Sequence, residues 1–293
     1  MTEHDGWFAG VDPDDADAAA ARIRSRSADE PADWPETAVA EGFAADSDDY
    51  YARLHEATTA AAREAVHEYE RADDKQLIHA VRAMDDCERT ANELAERIAE
   101  WAGTRFNDAG TGVGYARELA ADRADTEAAD PGERRLIALA ERTAALADEA
   151  DELRAYVEEA TPSVAPNLAA MAGPVLAARL ISLAGGLDTL ARKPSSTVQV
   201  LGAEDALFAH LRGSAPSPKH GIIFTHEYVR GTRPDERGSA ARALAGKLTI
   251  AARVDHYGGE RKPELDAELD DRIATIRGEK SGESASPSGG DDS

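Results

Sequence analysis

Residues 77–101 read LIHAVRAMDDCERTANELAERIAEW, and the spacing of their apolar side chains decides the fold class. Leu77, Val81, Met84, Cys87, Ala91, Leu94, Ile98 and Trp101 step by 4, 3, 3, 4, 3, 4 and 3, a coiled-coil seam with one phase slip near Cys87. A second stretch answers it. Leu136, Leu139, Thr143, Leu146, Ala150, Leu153 and Val157 are spaced 3, 4, 3, 4, 3, 4 without a slip. Two such helices joined by a connector predict an antiparallel hairpin, and about 25 residues of seam at ~1.5 Å each make a rod of roughly 37 Å. The connector, with Gly103, Gly110, Gly112, Gly114 and Pro131-Gly132, reads as a loop. Its Gly110-Thr-Gly-Val-Gly114 run has no preceding strand and no following lysine, which excludes a phosphate loop. Cys87 is a small seam residue rather than a nucleophile.

Outward from the hairpin, helical text begins near Asp48 and meets no glycine or proline before Gly103. Residues 1–47 form a short N-terminal module that opens on Trp7-Phe8-Ala9-Gly10-Val11. On the other side, Thr161-Pro162 and Pro166 end the hairpin and open a new domain over 161–262. Within it Gly173-Pro174 and Gly185-Gly186 break apolar helices, and Gly238–Asp255 is one well-formed helix. An acidic helix over 263–277 follows, and the Gly, Ser and Asp text of 278–293 is expected to be disordered. The fold class is therefore mainly α: a hairpin over 48–160, an all-α domain, a short front module and an acidic tail.

The chain has 293 residues, 33 basic and 57 acidic side chains, and a net charge of −24. Taken alone, that charge argues against nucleic acid. Six lysines against 27 arginines, with abundant alanine and carboxylate, resemble a surface built for a high-salt cytoplasm, where repulsion is screened over about 3 Å at molar salt. The informative quantity is then the local departure from that background. Residues 1–160 carry 17 basic and 40 acidic side chains, residues 161–262 carry 13 and 8, and residues 263–293 carry 3 and 9. A basic island survives in an acidic chain, and it is the place to look for a polyanion. One cysteine excludes a disulfide framework and a multi-cysteine zinc site. No apolar run approaches 18 residues and no basic flank precedes an apolar N-terminal core, so the expectation is a cytoplasmic protein with no membrane partner.

Residues 166–257 resemble the Nop domain along its length. The matching text is Pro166-Asn-Leu-Ala-Ala-Met171, GPVLAARLISLAGG over 173–186, LDTLARK over 187–193, Ser196 to Phe208, Pro218-Lys-His-Gly-Ile-Ile-Phe224 and RGSAARALAGKLTIAARVD over 237–255. Leu77-Ile-His-Ala-Val81 and Ala91-Asn92 through Phe106 resemble the family's first coiled-coil helix. The chain is thus similar to the archaeal Nop proteins of box C/D guide-RNA ribonucleoproteins. That resemblance implies an assembly protein with no catalytic residue, cofactor or metal. It implies as partners a box C/D guide RNA, a kink-turn-binding ribosomal-protein-like protein, the methyltransferase fibrillarin, which performs the 2′-O-methylation, and a second copy through the coiled coil, for which Leu136, Leu139, Leu146, Leu153 and Val157 are the candidates.

Several residues stand out as RNA contacts. Arg242 and Arg253 are eleven apart on one helix and return to within about 20° of one face, with Gly246 and Thr249 between them and Leu244 and Leu248 turned away. Arginines flanking small residues can grip a phosphate backbone. Lys219 and His220 sit in a loop between Pro218 and Gly221, suited to phosphate and base contact. Arg192 and Lys193, before Pro194, match a further RNA-contact position of the family. Lys247, about 140° around, suits a protein carboxylate as well as RNA. In the helix from Gly202 to Leu211, the resemblance makes Gly202, Glu204, Leu207 and Phe208 contacts to RNA or partner protein. Asp205 and Ala209 stand there where the family has basic residues, which leaves open a second reading: a coiled-coil interaction protein whose Nop-like domain has lost RNA binding. A carboxylate hydrolase is disfavoured, because the acids are spread over a solvated surface with no nucleophile beside them. The front module is shorter than the family's α/β domain, with Trp7–Val11 as a remnant of its first strand.

Overall fold

A computed structural model describes residues 6–26, 32–123 and 130–278. All regular elements among them are helical, and they fall into two compact units, Met1–Ala72 and Asp73–Ser293. The expected tail beyond Gly278 lies outside the described residues.

The first unit holds α1 (Ala16–Ser25), α2 (Trp34–Ala40) and α3 (Ser47–Glu70). Asp15, Asp33 and Asp46 cap them, each carboxylate accepting the backbone N–H three residues on. Its core is aromatic: Phe8, Phe43 and Tyr50 are buried, with Trp7 and Trp34 packed around them. Phe8 lies 5.5 Å from Phe43 and 5.9 Å from Tyr50 between ring centroids. Trp7–Val11 is not a strand remnant. Phe8 plugs this core while its backbone closes into turns, the Ala9 N–H donating to Gly6 O and the Val11 N–H to Phe8 O. Helix α3 packs on α1 and α2, burying Ala57 and Ala61, so the break in the chain falls at Ala72/Asp73 rather than at 47/48. Neither glycine nor proline marks it. The interruption at Arg71-Ala72 is followed by Asp73 and Asp74 in the first turn of the next helix, where carboxylates favour a helix start.

The second unit begins with the hairpin of α4 (Asp73–Gly103) and α6 (Pro131–Val164). Ile98 and Ala102 pack with Leu136 and Ala140, while Leu77 and Val81 pack with Val157, so the helices run antiparallel. Two strict heptad rows are buried, Leu77, Met84, Ala91 and Ile98 against Leu136, Thr143, Ala150 and Val157. The phase slip disappears. The other inward row of α4 is Val81, Glu88, Ala95 and Ala102, which keeps the heptad; burial selects the alanines over the larger Leu94 and Trp101. Glu88, the polar member, is exposed and accepts from Arg154 at 3.4 Å. The same burial revises the dimer assignment. Leu136 and Val157 are 0% exposed inside one chain, and Leu139, Leu146 and Leu153 are half-buried on the flank of the seam.

The connector contains a helix, α5 (Gly112–Arg123). Ala116 and Leu119 bury against the hairpin tip, and Arg117 donates to Asp148 at 2.7 Å and Asp151 at 3.0 Å. Helix α6 also outruns its expected end, passing through Pro162 to Val164. The proline removes one ladder donor, and the Thr161 hydroxyl donates to Val157 O at 2.5 Å in the same turn.

After the buried Ala165, α7 (Pro166–Ala172), α8 (Pro174–Ala184), α9 (Leu187–Arg192), α10 (Ser195–Val200), α11 (Glu204–Leu211), α12 (Glu227–Arg230), α13 (Arg237–Tyr257) and α14 (Glu264–Arg277) complete the unit. Their core, which includes Leu180, Ile181, Leu190, Ile223, Leu244 and Leu248, is continuous with Leu77, Val81 and Val157 of the hairpin. The joint is built at Gly185-Gly186. Both have positive φ, 91° and 145°, and a Cβ on Gly186 would stand 2.5 Å from Lys75 Nζ. Lys75 Nζ donates to Gly185 O at 2.6 Å and the Leu187 N–H donates to Asp74 at 2.9 Å, pinning the start of α4 to this turn. The expected separate acidic helix, α14, belongs to the same core: Leu265, Leu269 and Ile273 are buried on it. No single described helix is long and apolar enough to cross a membrane.

Candidate nucleic-acid interface

Lys219, from the loop before Gly221, and Arg242 of α13 meet in one cleft of about 570 Å³, also lined by Ser196, Gln199, Pro218 and Ser239 among others. The loop is held there by backbone pairing. Gly221 N–H donates to Gln199 O and Ile222 N–H to Leu201 O, both at 2.8 Å, and the Gln199 side chain donates to Lys219 O at 2.7 Å. A Cβ on Gly221 would lie 2.0 Å from Leu201 O, so only glycine permits this approach. Lys219 and Arg242 form no ion pair with a carboxylate among the described residues, although Asp235 is on the cleft wall. His220 stacks on Phe224 with centroids 4.6 Å apart, and Arg237 stands 5.4 Å over the same phenyl ring. Burial and the nearby Arg237 hold the His220 imidazole below its ordinary pKa, so the ring is neutral near pH 7 and available to hydrogen-bond or stack.

Helix α11 stands beside this region with none of its residues buried. Glu204 accepts from the Gly202 N–H at 2.8 Å, and Gly202 has φ +82° with Ile222 and Leu183 near its missing Cβ. These two residues therefore shape the turn into the helix. Phe208 and Leu211 are 53% and 71% exposed, and Leu207 is half-buried. With acids in its first turn and no lysine or arginine within its span, the helix offers an apolar face and no phosphate grip.

The remaining predicted contacts do not join the first cleft as one stripe. Thr249, between Arg242 and Arg253, is only 3% exposed, because α9 and α10 pack across α13. Arg253 lies beyond that crossing, where its Nε donates to Ala191 O at 3.0 Å. Arg192 and Lys193 follow Ala191 directly, and Arg192 is paired with Asp188 at 2.6 Å. Lys247 meets a protein carboxylate, its ammonium being bonded to Glu268 of α14. Behind Arg253, the buried Asp255 accepts from the Asn167 N–H at 3.0 Å, the Leu168 N–H at 2.9 Å and Asn167 Nδ2 at 2.6 Å. It fixes α7 to α13 and gives Pro166-Asn167-Leu168 its structural meaning.

Sequence reading missed Ser196, Gln199 and Ser239 as cleft residues, since polar side chains from separate helices leave no periodic signal. Arg237 opened a quoted motif, and its place over Phe224 follows only from the fold.

Residues 113–276 match the Nop family, described as "snoRNA binding domain, fibrillarin". An uncharacterised NOP5 family protein of Methanocaldococcus jannaschii is 35% identical over 269 residues, covering 80% of this chain and 65% of that protein. Nucleolar protein 58 of Schizosaccharomyces pombe is 30% identical over 233 residues, covering 68% of this chain and 46% of that protein. The chain thus spans between about half and two thirds of the length of these relatives. In fold it is similar to a chain in the crystal structure of a fibrillarin/Nop5p complex, with a TM-score of 0.51, 24% identity and coverage of 88% of this chain and 92% of that one. The match over residues 113–276 takes in more than half of the sequence, and the chain therefore belongs to the Nop family.

Proposed function

We propose that this protein is the RNA-binding scaffold of a box C/D ribonucleoprotein. The observation that carries this reading is the convergence of Lys219 and Arg242 in one cleft, with the next residue, His220, stacked on Phe224, in the basic segment of an acidic chain. The cleft takes the backbone of a kink-turn RNA. Helix α11, apolar and lacking the family's basic residues, takes the kink-turn-binding protein seated on that RNA. The front unit, helical and small, is the place for fibrillarin, which supplies the 2′-O-methyl transfer; the chain itself supplies geometry. Homodimerisation, in this reading, uses the outer flank of the hairpin around Leu139, Leu146 and Leu153. The exposed apolar face of α11 also favours a second reading, a purely protein-binding role.

A mobility-shift titration separates the two. The full chain is added to a kink-turn RNA already bound by its kink-turn protein, as wild type and as Arg242→Glu. The RNA scaffold predicts a supershift that Arg242→Glu weakens at least tenfold, since a favourable charge contact becomes a repulsive one. An equal supershift by both proteins would support the protein-only reading.

A further inference from the structure

The far end of α13 carries a second cleft that the RNA reading above does not require. It has a volume of about 360 Å³ and is lined by Arg253, Val254, Tyr257, Gly258, Glu260 and Lys262. Tyr257 is 73% exposed, in edge contact with the neighbouring His256 at 4.5 Å between ring centroids. The Arg253 Nε is spent on Ala191 O, which fixes the guanidinium and leaves its two terminal nitrogens without a bonded partner among the described residues. Lys262 is held at the cleft by its own backbone, its N–H donating to Asn167 Oδ1 at 2.7 Å, while its ammonium forms no ion pair among the described residues. A rigid arginine, a tethered lysine and an open aromatic face are the parts of a nucleotide site: the ring stacks on a base and the cations take the flanking phosphates.

We propose that Arg253, Tyr257 and Lys262 form a second RNA site that binds an unpaired nucleotide, distinct from the Lys219 and Arg242 cleft. This rests on the RNA-scaffold reading and adds to it a strand path. Arg242 and Arg253 are eleven residues apart, about 16 Å along a helix at ~1.5 Å per residue. At about 3.4 Å per phosphate that is some five nucleotides of a stacked strand. Tyr257 lies four residues further on, about 22 Å from Arg242 along the helix axis, so a single-stranded flank leaving the first cleft reaches it in about seven nucleotides and stacks there.

The test uses the full chain and two RNAs pre-bound by the kink-turn protein, one with an eight-nucleotide single-stranded flank and one trimmed to its stems. Binding is measured for wild type, Tyr257→Ala, Tyr257→Phe and Arg242→Glu. The flank is expected to tighten wild-type binding by about 5- to 160-fold, the range of one stacked base. Tyr257→Ala removes that gain and leaves the trimmed RNA unaffected, whereas Tyr257→Phe keeps it. Photocrosslinking of 4-thiouridine in the flank should map to Tyr257. The proposal is overturned if wild type binds both RNAs equally, or if Tyr257→Ala leaves the flank's gain in place, while Arg242→Glu still weakens both RNAs. If wild type binds neither RNA, the scaffold reading falls as well, a result the Arg242→Glu comparison keeps separate from failure of the second site alone.

Discussion

Replacing Asp255 by alanine tests how α7 is fixed to α13. The carboxylate is buried and accepts three hydrogen bonds, from the Asn167 N–H, the Leu168 N–H and Asn167 Nδ2. Asn167 Nδ2 keeps a second acceptor, Glu260 O at 2.8 Å, so the alanine variant orphans two backbone donors at the start of α7. An unsatisfied buried donor costs about 1–3 kcal/mol, and the pair about 3–4 kcal/mol once partial hydration is allowed. For a unit of this size that lowers Tm by roughly 6–16 °C. Asp255→Asn keeps one acceptor oxygen but turns an amide donor toward a backbone donor, for a loss of about 1–3 kcal/mol. Thermal melting by circular dichroism gives the total, and hydrogen exchange at the Asn167 and Leu168 amides gives the location. A Tm within about 2 °C of wild type, with both amides still protected, would refute the account of Asp255 as the anchor of α7.

Leu136→Ala should cost about 2–5 kcal/mol, since Leu136 is wholly buried inside one chain; a stable but monomeric variant in sedimentation would restore it to a dimer contact. Phe208→Ser should leave stability within about 0.5 kcal/mol, because the ring is more than half exposed, yet weaken capture of the kink-turn protein–RNA complex by about 2 kcal/mol; unchanged capture removes α11 from the interface. Stability should fall below about pH 6.5 through His226. Its Nδ1 accepts the Tyr228 N–H at 3.1 Å and its Nε2 donates to Met171 O at 3.1 Å, an arrangement for the neutral ring. Burial, reinforced by Arg277 and opposed by the Met171 bond and Glu227, lowers its pKa in the fold. The unfolded chain then takes up the proton first, so stability is full above the unfolded pKa and declines as pH drops toward the folded one. His220 adds to the same slope. A Tm flat between pH 7.5 and 5.5 would contradict this, and His226→Gln should reduce the slope.

The hairpin was legible because a heptad writes itself along the chain, and so were the breaks at Gly173 and Gly185. Small residues blurred the detail. Ala95 and Ala102 belong to the buried seam of α4, but Leu94 and Trp101 beside them are the larger apolar residues, and a seam drawn through those acquires a slip. The break at Arg71-Ala72 carried no glycine or proline, and α5 hid in a glycine-rich connector because its stability comes from Ala116 and Leu119 on the hairpin tip, a tertiary effect. At the site, each basic residue was visible singly. Their grouping was not, since helical angle alone put Arg242 and Arg253 on one stripe and only the crossing of α9 and α10 separates them. Lys247 and Glu268 are 21 residues apart, a pairing that no local pattern announces.

The distribution of charge has a consequence for affinity that follows from this grouping. With Lys219 and Arg242 in one cleft and Arg253 and Lys262 in the other, the proposed RNA scaffold would neutralise about four phosphates at full occupancy, for a slope of log K against log salt of roughly −3 to −4. The flanking acid opposes it. Residues 73–160, the hairpin and its connector, carry 11 basic and 22 acidic side chains, and their repulsion of RNA weakens as the Debye length shrinks from about 10 Å at 0.1 M to about 3 Å at 1 M salt. Added salt therefore removes a penalty while it removes a gain, and the measured slope must be shallower than the contact count gives. On the scaffold reading the same repulsion would confine RNA to the basic segment at low salt, with acid on the hairpin as an orienting force. A fluorescence-anisotropy titration of the kink-turn complex across that salt range should return a slope no steeper than about −4. A slope near −6 or beyond would mean that more cations meet phosphate than these two clefts hold, and that the hairpin itself contacts RNA.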